Sequence, residues 1–268
     1  MKDKLRVLSL GAGVQSTTLA LMIEKGEVPM VDCAIFADTM AEPKKVYDHL
    51  DWLQKQLSYP LYKISYRNLK QDIIDAVDGK YKFMSIPLFT RNAETGKKGL
   101  LRRQCTADYK ITPINRKVRE LLGYKKGQRV KNGTKVEMLM GISMDEIVRT
   151  RVNRLKYIEN VYPLIEFQMR RHHCLQWMEK NNYPRPPRSA CTFCPYHSNE
   201  EWKDIKKNKE EWDEVVALDK KIRKGTKKNT DLVYLHKSAV PLDEADLEPN
   251  KNQQDLFDDI CDEGMCGV

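Results

Sequence analysis

The chain has 268 residues, 41% of them hydrophobic and 32% charged, with 47 lysines and arginines against 38 acids for a formal charge of +9. That composition reads as a globular protein rather than a disordered one, and no stretch approaches the roughly 20 apolar residues that span a bilayer. The first residues run straight into a strand-like segment without a signal-peptide core, so a cytoplasmic protein with no membrane partner is expected. The basic balance favours phosphate-bearing partners, nucleotide or nucleic acid, without choosing between them. Seven cysteines, an odd number, argue against a disulfide framework and toward metal or thiol chemistry.

Residues 6–10 form a short apolar run that stops at Gly11-Ala12-Gly13, and a helical pattern with Leu19, Met22 and Ile23 follows from about Gln15. A second buried strand is expected over 33–37, ending at Asp38-Thr39. Pro43 suits the first turn of the next helix, whose stripe is Val46, Leu50, Leu53 and Leu57. Strand 61–64, a helix through Leu69, Ile73, Ile74 and Val77, and a strand over 136–142 continue the alternation. Such alternation predicts an α/β fold with a doubly wound, mainly parallel sheet, which binds ligands beyond the carboxyl ends of its strands. Residues 80–103 interrupt it as a mobile loop or small insertion. Three regions are expected: a nucleotide-binding α/β domain over 1–165, a helical cysteine-bearing region over 166–240, and a flexible tail over 241–268.

The segment from Ser9 through Gly11, Ala12, Gly13 and Gln15 to Ser16 and Thr17 links a strand to a helix, where glycines permit close approach and free amides attract phosphate. It is neither a Walker loop nor a dinucleotide fingerprint. An ordinary strand-to-helix turn is the competing reading. The arrangement resembles the PP-loop of the adenine-nucleotide alpha-hydrolase superfamily, particularly its phosphoadenylylsulfate (PAPS) reductase-like branch. Residues 11–16 stand where that family usually has Ser-Gly-Gly-x-Asp-Ser, and Gln15 replaces the Asp of most ATP-splitting members. Three further segments extend the resemblance over about residues 5–224. Asp38-Thr39 with Glu42 looks like the family's Asp-Thr-x-x-Glu, Cys105-Thr106 with Lys110 and Pro113 like its Cys-Thr-x-x-x-Lys-x-x-Pro, and Gly141 with Glu146 and Arg149 like its Gly-Ile-x-x-x-Glu-x-x-Arg.

The resemblance implies that residues 9–17 and Gly141 hold an adenine nucleotide, ATP or a sulfonucleotide (PAPS or APS), with Asp38, Thr39 and Glu42 at the nucleoside. Lys110, Arg149 and Arg151 would neutralise its anionic groups. Cys191 and Cys194 lie one turn apart; with Cys105 and Cys174 they form a candidate metal set, for which the resemblance favours a 4Fe-4S iron–sulfur cluster over zinc. Near the C-terminus, Cys266-Gly267 matches the nucleophilic Cys-Gly of PAPS reductases, with Cys261 or a thioredoxin-like reductant as the resolving thiol. The expected function is therefore a PAPS reductase-like enzyme of sulfur metabolism, acting by reduction or transfer. Two alternatives stay open: ATP-dependent thiolation of nucleic acid, and a zinc-stabilised nucleic-acid-binding module without turnover.

Overall fold

The computed structural model describes residues 4–80, 84–225 and 231–248. The chain opens with β1 (Lys4–Leu10), α1 (Val14–Glu24), β2 (Cys33–Asp38), α2 (Lys44–Gln54), β3 (Leu61–Ser65) and α3 (Leu69–Val77). Two short strands follow, β4 (Phe89–Arg91) and β5 (Lys98–Leu100), then a π-helical turn Thr106–Ile111 running directly into α4 (Thr112–Leu121). β6 (Lys135–Met140), a 3-10 turn Met144–Arg149, β7 (Ile158–Val161) and the single-turn α5 (Pro163–Glu166) lead to α6 (Arg171–Lys180). The last described elements are α7 (Asn199–Lys207), α8 (Lys209–Ile222), β8 (Leu232–Tyr234) and a 3-10 turn Leu242–Glu244.

The main sheet has the order β3-β2-β1-β6-β7, and every pairing in it is parallel. The chain winds outward from β1 through β2 to β3, then crosses back to β6 on the other side. The switch point therefore falls between the carboxyl ends of β1 and β6, where α/β sheets keep their ligand crevice. The strands' burial explains their apolar runs. In β1, Leu8 and Leu10 face a core shared with α1, α2 and α6, while Leu5 and Val7 face one shared with α4. β2 alternates likewise, Ala34 and Phe36 against Cys33, Ile35 and Ala37. Helices thus cover both faces, as the doubly wound reading expects.

The segment expected as a mobile loop or small insertion contributes two short strands. β4 pairs antiparallel with β5 and with β8, making a small second sheet. Three-residue strands are too short to show a period of two, and β8 comes from more than 130 residues away. Residues 200–224 are two helices, because Asn208 ends α7 and its side chain accepts from Glu211 N to start α8. Both pack with α3 around the fully buried Trp202. Pro43 precedes α2 as its N-cap rather than sitting inside it.

Two buried histidines add a pH dependence to this fold. His49 and His236 are both buried, and burial pushes each imidazole down to about 4. A depressed histidine favours folding while it stays neutral. That contribution is complete above the unfolded value of about 6.5 and is lost as pH falls toward 4. Each should cost about 2 kcal/mol between pH 7 and pH 5. Urea unfolding at the two pH values checks this: His49→Gln should flatten the profile, and an already flat wild-type profile would refute the assignment.

Candidate functional site

The loop after β1 is held by its own atoms. Ser16 Oγ accepts from Gly11 N at 3.2 Å and donates to Gly13 O at 3.3 Å. Ala12 takes a left-handed conformation (φ 59°) that a side chain disfavours by roughly 1–2 kcal/mol, yet its methyl is fully buried. Helix α1 then starts at Gly13 with no capping side chain and no acid in its first turn. Its leading amides are left as the positive end of a helix dipole. A Cβ built on Gly13 would meet nothing within 4 Å, so the space before that turn is open.

Gln15 carries the clearest signal in the loop. Its side chain is buried, and Oε1 accepts from the Arg171 guanidinium of α6 at 3.4 Å. Its Nε2 is buried and has no hydrogen-bond partner. A buried amide donor without an acceptor costs on the order of 1–3 kcal/mol, which makes this Nε2 a candidate contact for an accepting ligand. Arg171 gave no signal in the sequence, because it lies 156 residues downstream and reaches the loop only through the packing of α6 on α1.

Several expected ligand residues are engaged elsewhere. Thr17 is fully buried and its Oγ1 is bonded to His49 Nε2 at 3.0 Å, so it braces α1 against α2. Asp38 Oδ1 accepts from Met40 N and from the Tyr47 hydroxyl, holding the turn after β2. Thr39 Oγ1 shares a 3.2 Å hydrogen bond with Cys191 Sγ. The Glu42 side chain is wholly inaccessible to a nucleoside: it accepts from Lys110 Nζ at 3.4 Å and from Ser189 Oγ at 3.3 Å. Arg149 pairs with the buried Glu146. Gly141 serves by lacking a side chain, since a Cβ there would lie 2.6 Å from Ser16 Cα.

Beside the loop lies a groove of about 400 Å³, floored by Ser9, Met138 and Met140. One wall is the end of the π turn and the start of α4, with Lys110, Thr112 and Asn115. The other is the irregular strap 151–155, carrying Arg151 and Arg154. The strap is pinned by β7 and its flank. Arg151 O accepts from Asn160 Nδ2 at 3.0 Å and from the Tyr162 hydroxyl at 2.9 Å, and Asn153 donates to Asn160 at 3.0 Å. Arg151 was legible in the sequence; Arg154 was missed, although it extends the same arginine run.

The cysteines divide into two groups. Cys105, Cys191 and Cys194 line one small cavity with Thr39, Thr106 and Lys110, and Lys110 also lines the groove. Cys174 lies on α6 in the core between that helix and α1, fully buried, its thiol pushed up to about 12 by burial. It packs among the side chains of that core, apart from the other three thiols. Among the described residues no three His, Cys, Asp or Glu side chains are grouped to hold a metal ion. Among the described residues the four cysteines expected as a metal set are thus not gathered at one point. Cys261 and Cys266 lie outside the described residues.

No family model matches the chain, and no curated protein matches it. Among solved structures, a phosphoadenylyl-sulfate (PAPS) reductase from Candida auris, in a phosphate complex, is similar at a TM-score of 0.41 and 15% identity. That match covers 69% of this chain and 76% of the other. No described helix is long and apolar enough to cross a membrane.

Proposed function

We propose that this chain is an enzyme that binds an adenine nucleotide through its phosphate or sulfate groups at the start of α1 and acts on a sulfur-bearing nucleotide. The observation that carries the reading is the unpartnered Nε2 of Gln15, buried beside an uncapped helix start. Arg171 fixes the amide by donating to Oε1, which leaves Nε2 directed to another acceptor. An anionic oxygen is the acceptor that the helix dipole also favours. An aspartate at position 15 would place a negative charge there, whereas glutamine supplies a proton donor and suits an anion approached without an intervening cation. Ser9 and Lys110, at the groove's edge beside the loop, are positioned to meet the rest of such a ligand.

Within this reading the chain's residues bind and orient the anion; Lys110, braced by Glu42, holds a positive charge between the groove and the cavity of Cys105, Cys191 and Cys194. A nucleophilic role for Cys266, with Cys261 resolving, belongs to the same proposal and is separable from nucleotide binding.

Anaerobic calorimetry with ATP, ADP, APS and PAPS tests the reading. At least one should bind the full chain, and Gln15→Leu should weaken it about ten- to a hundredfold, the value of a hydrogen bond to a charged group. If none of the four binds, or if Gln15→Leu binds as tightly as wild type, the reading fails.

A further inference from the structure

The groove does not end at the strap. The start of α4 lines it through Thr112 and Asn115, while the far end of the same helix, with Arg116, Arg119 and residues 123–128, borders a second, open basic depression. One helix therefore joins two cationic hollows. Arg116, Lys125, Lys126, Arg151 and Arg154 have no carboxylate partner among the described residues. Several cations on other helices are neutralised, Lys44 by Asp48, Lys207 by Asp204, Lys209 by Asp213 and Lys221 by Asp78. The acid nearest the depression, Glu120, is paired with Lys117. Arg116, Lys125 and Lys126 thus bring uncompensated positive charge to the depression, as Arg151 and Arg154 do to the groove.

The second observation concerns apolar surface. Val152 stands in the groove's strap at 92% exposure, with Ile111 opposite it on the π turn. Arg116, which lines the depression, lies 4.6 Å above the ring of Tyr66, itself 39% exposed. A small anion needs charge alone. A strand of nucleic acid needs charge for its phosphates and apolar or stacked faces for its bases, which is the mixture found here.

We infer that the groove between α4 and the strap, continued by the basic depression at the other end of α4, is a docking track for a single-stranded nucleic acid. This goes beyond the nucleotide site at α1 and does not depend on it. The track passes Ser9 and Lys110 at its inner end, so a strand lying in it would present one base next to the anion loop.

Fluorescence anisotropy of the full chain with fluorescein-labelled 20-nucleotide single strands of RNA and DNA, from 50 to 200 mM salt, provides the test. Binding should weaken with salt at a log–log slope of about −0.7 per phosphate contacted. Arg151→Gln/Arg154→Gln should flatten that slope by about 1.4 and lower affinity at least tenfold at 100 mM salt. Lys207→Gln/Lys209→Gln, on the paired surface of α7 and α8, should leave both unchanged. Absence of strand binding, equal loss in the two double variants, or preferential capture by anionic phospholipid vesicles would each overturn the inference. The Gln15→Leu variant separates the two proposals, because it should lose the nucleotide and keep the strand.

Discussion

Gly141→Ala is expected to destabilise the protein by about 1–3 kcal/mol and to weaken nucleotide binding at least tenfold. The added methyl carbon would stand 2.6 Å from Ser16 Cα and 2.7 Å from Ser16 N. Both contacts are backbone, so no side-chain rotation relieves them; the start of α1 must move away from the end of β6. That movement would disturb Ser16 Oγ, which closes the loop on Gly11 and Gly13. Gly13→Ala supplies the contrast. Its methyl would enter open space, so the fold should tolerate it, while a phosphate or sulfate approaching that same space should not. Urea unfolding and calorimetry on the pair decide the matter. Loss of stability in both variants, or unchanged affinity in both, would refute the division of roles.

Lys110→Met is expected to have the larger effect on stability, about 3–5 kcal/mol. The carboxylate of Glu42 has no exposure to water, and the lysine's ammonium is its charged partner. Removing the cation takes a charged partner from an enclosed carboxylate that also accepts from Ser189 Oγ. The double variant Glu42→Gln/Lys110→Met should regain much of the loss, since a neutral amide needs no counter-charge. Thermal unfolding of the two single variants and the double variant measures the coupling. Additive losses would show that the pair contributes nothing beyond its separate packing. Because Lys110 borders both the groove and the thiol cavity, its loss should also lower nucleotide affinity in any variant that still folds.

How much of this was legible beforehand follows the range of the interactions. Strands β1, β2 and β6 announced themselves because both faces are covered, giving apolar runs bounded by turns, while the edge strand β3 is half exposed. The neighbours of β1 could be reasoned from the order of strands and helices, which restricts a parallel sheet to few topologies. β7 could not: Ile158–Val161 carries glutamate and asparagine, its Asn160 being occupied in pinning the strap. Pairing of β4 with β8 is set by contacts across the chain and leaves no local pattern.

The site divides in the same way. The sequence alone singled out the loop after β1, its glutamine and the groove arginine Arg151, because close backbone approach and charge require particular residue types at particular spacings. Only the tertiary structure decided which hydroxyls and acids remain available there. Thr17, Thr39, Asp38 and Glu42 have the right chemistry for a ligand, yet each is committed to a nearby partner inside the fold. It also separated Cys174 from the other three thiols and brought Arg171 onto Gln15. A residue's type fixes what it is able to bind, but burial and the neighbours packed around it determine whether that capacity is already used.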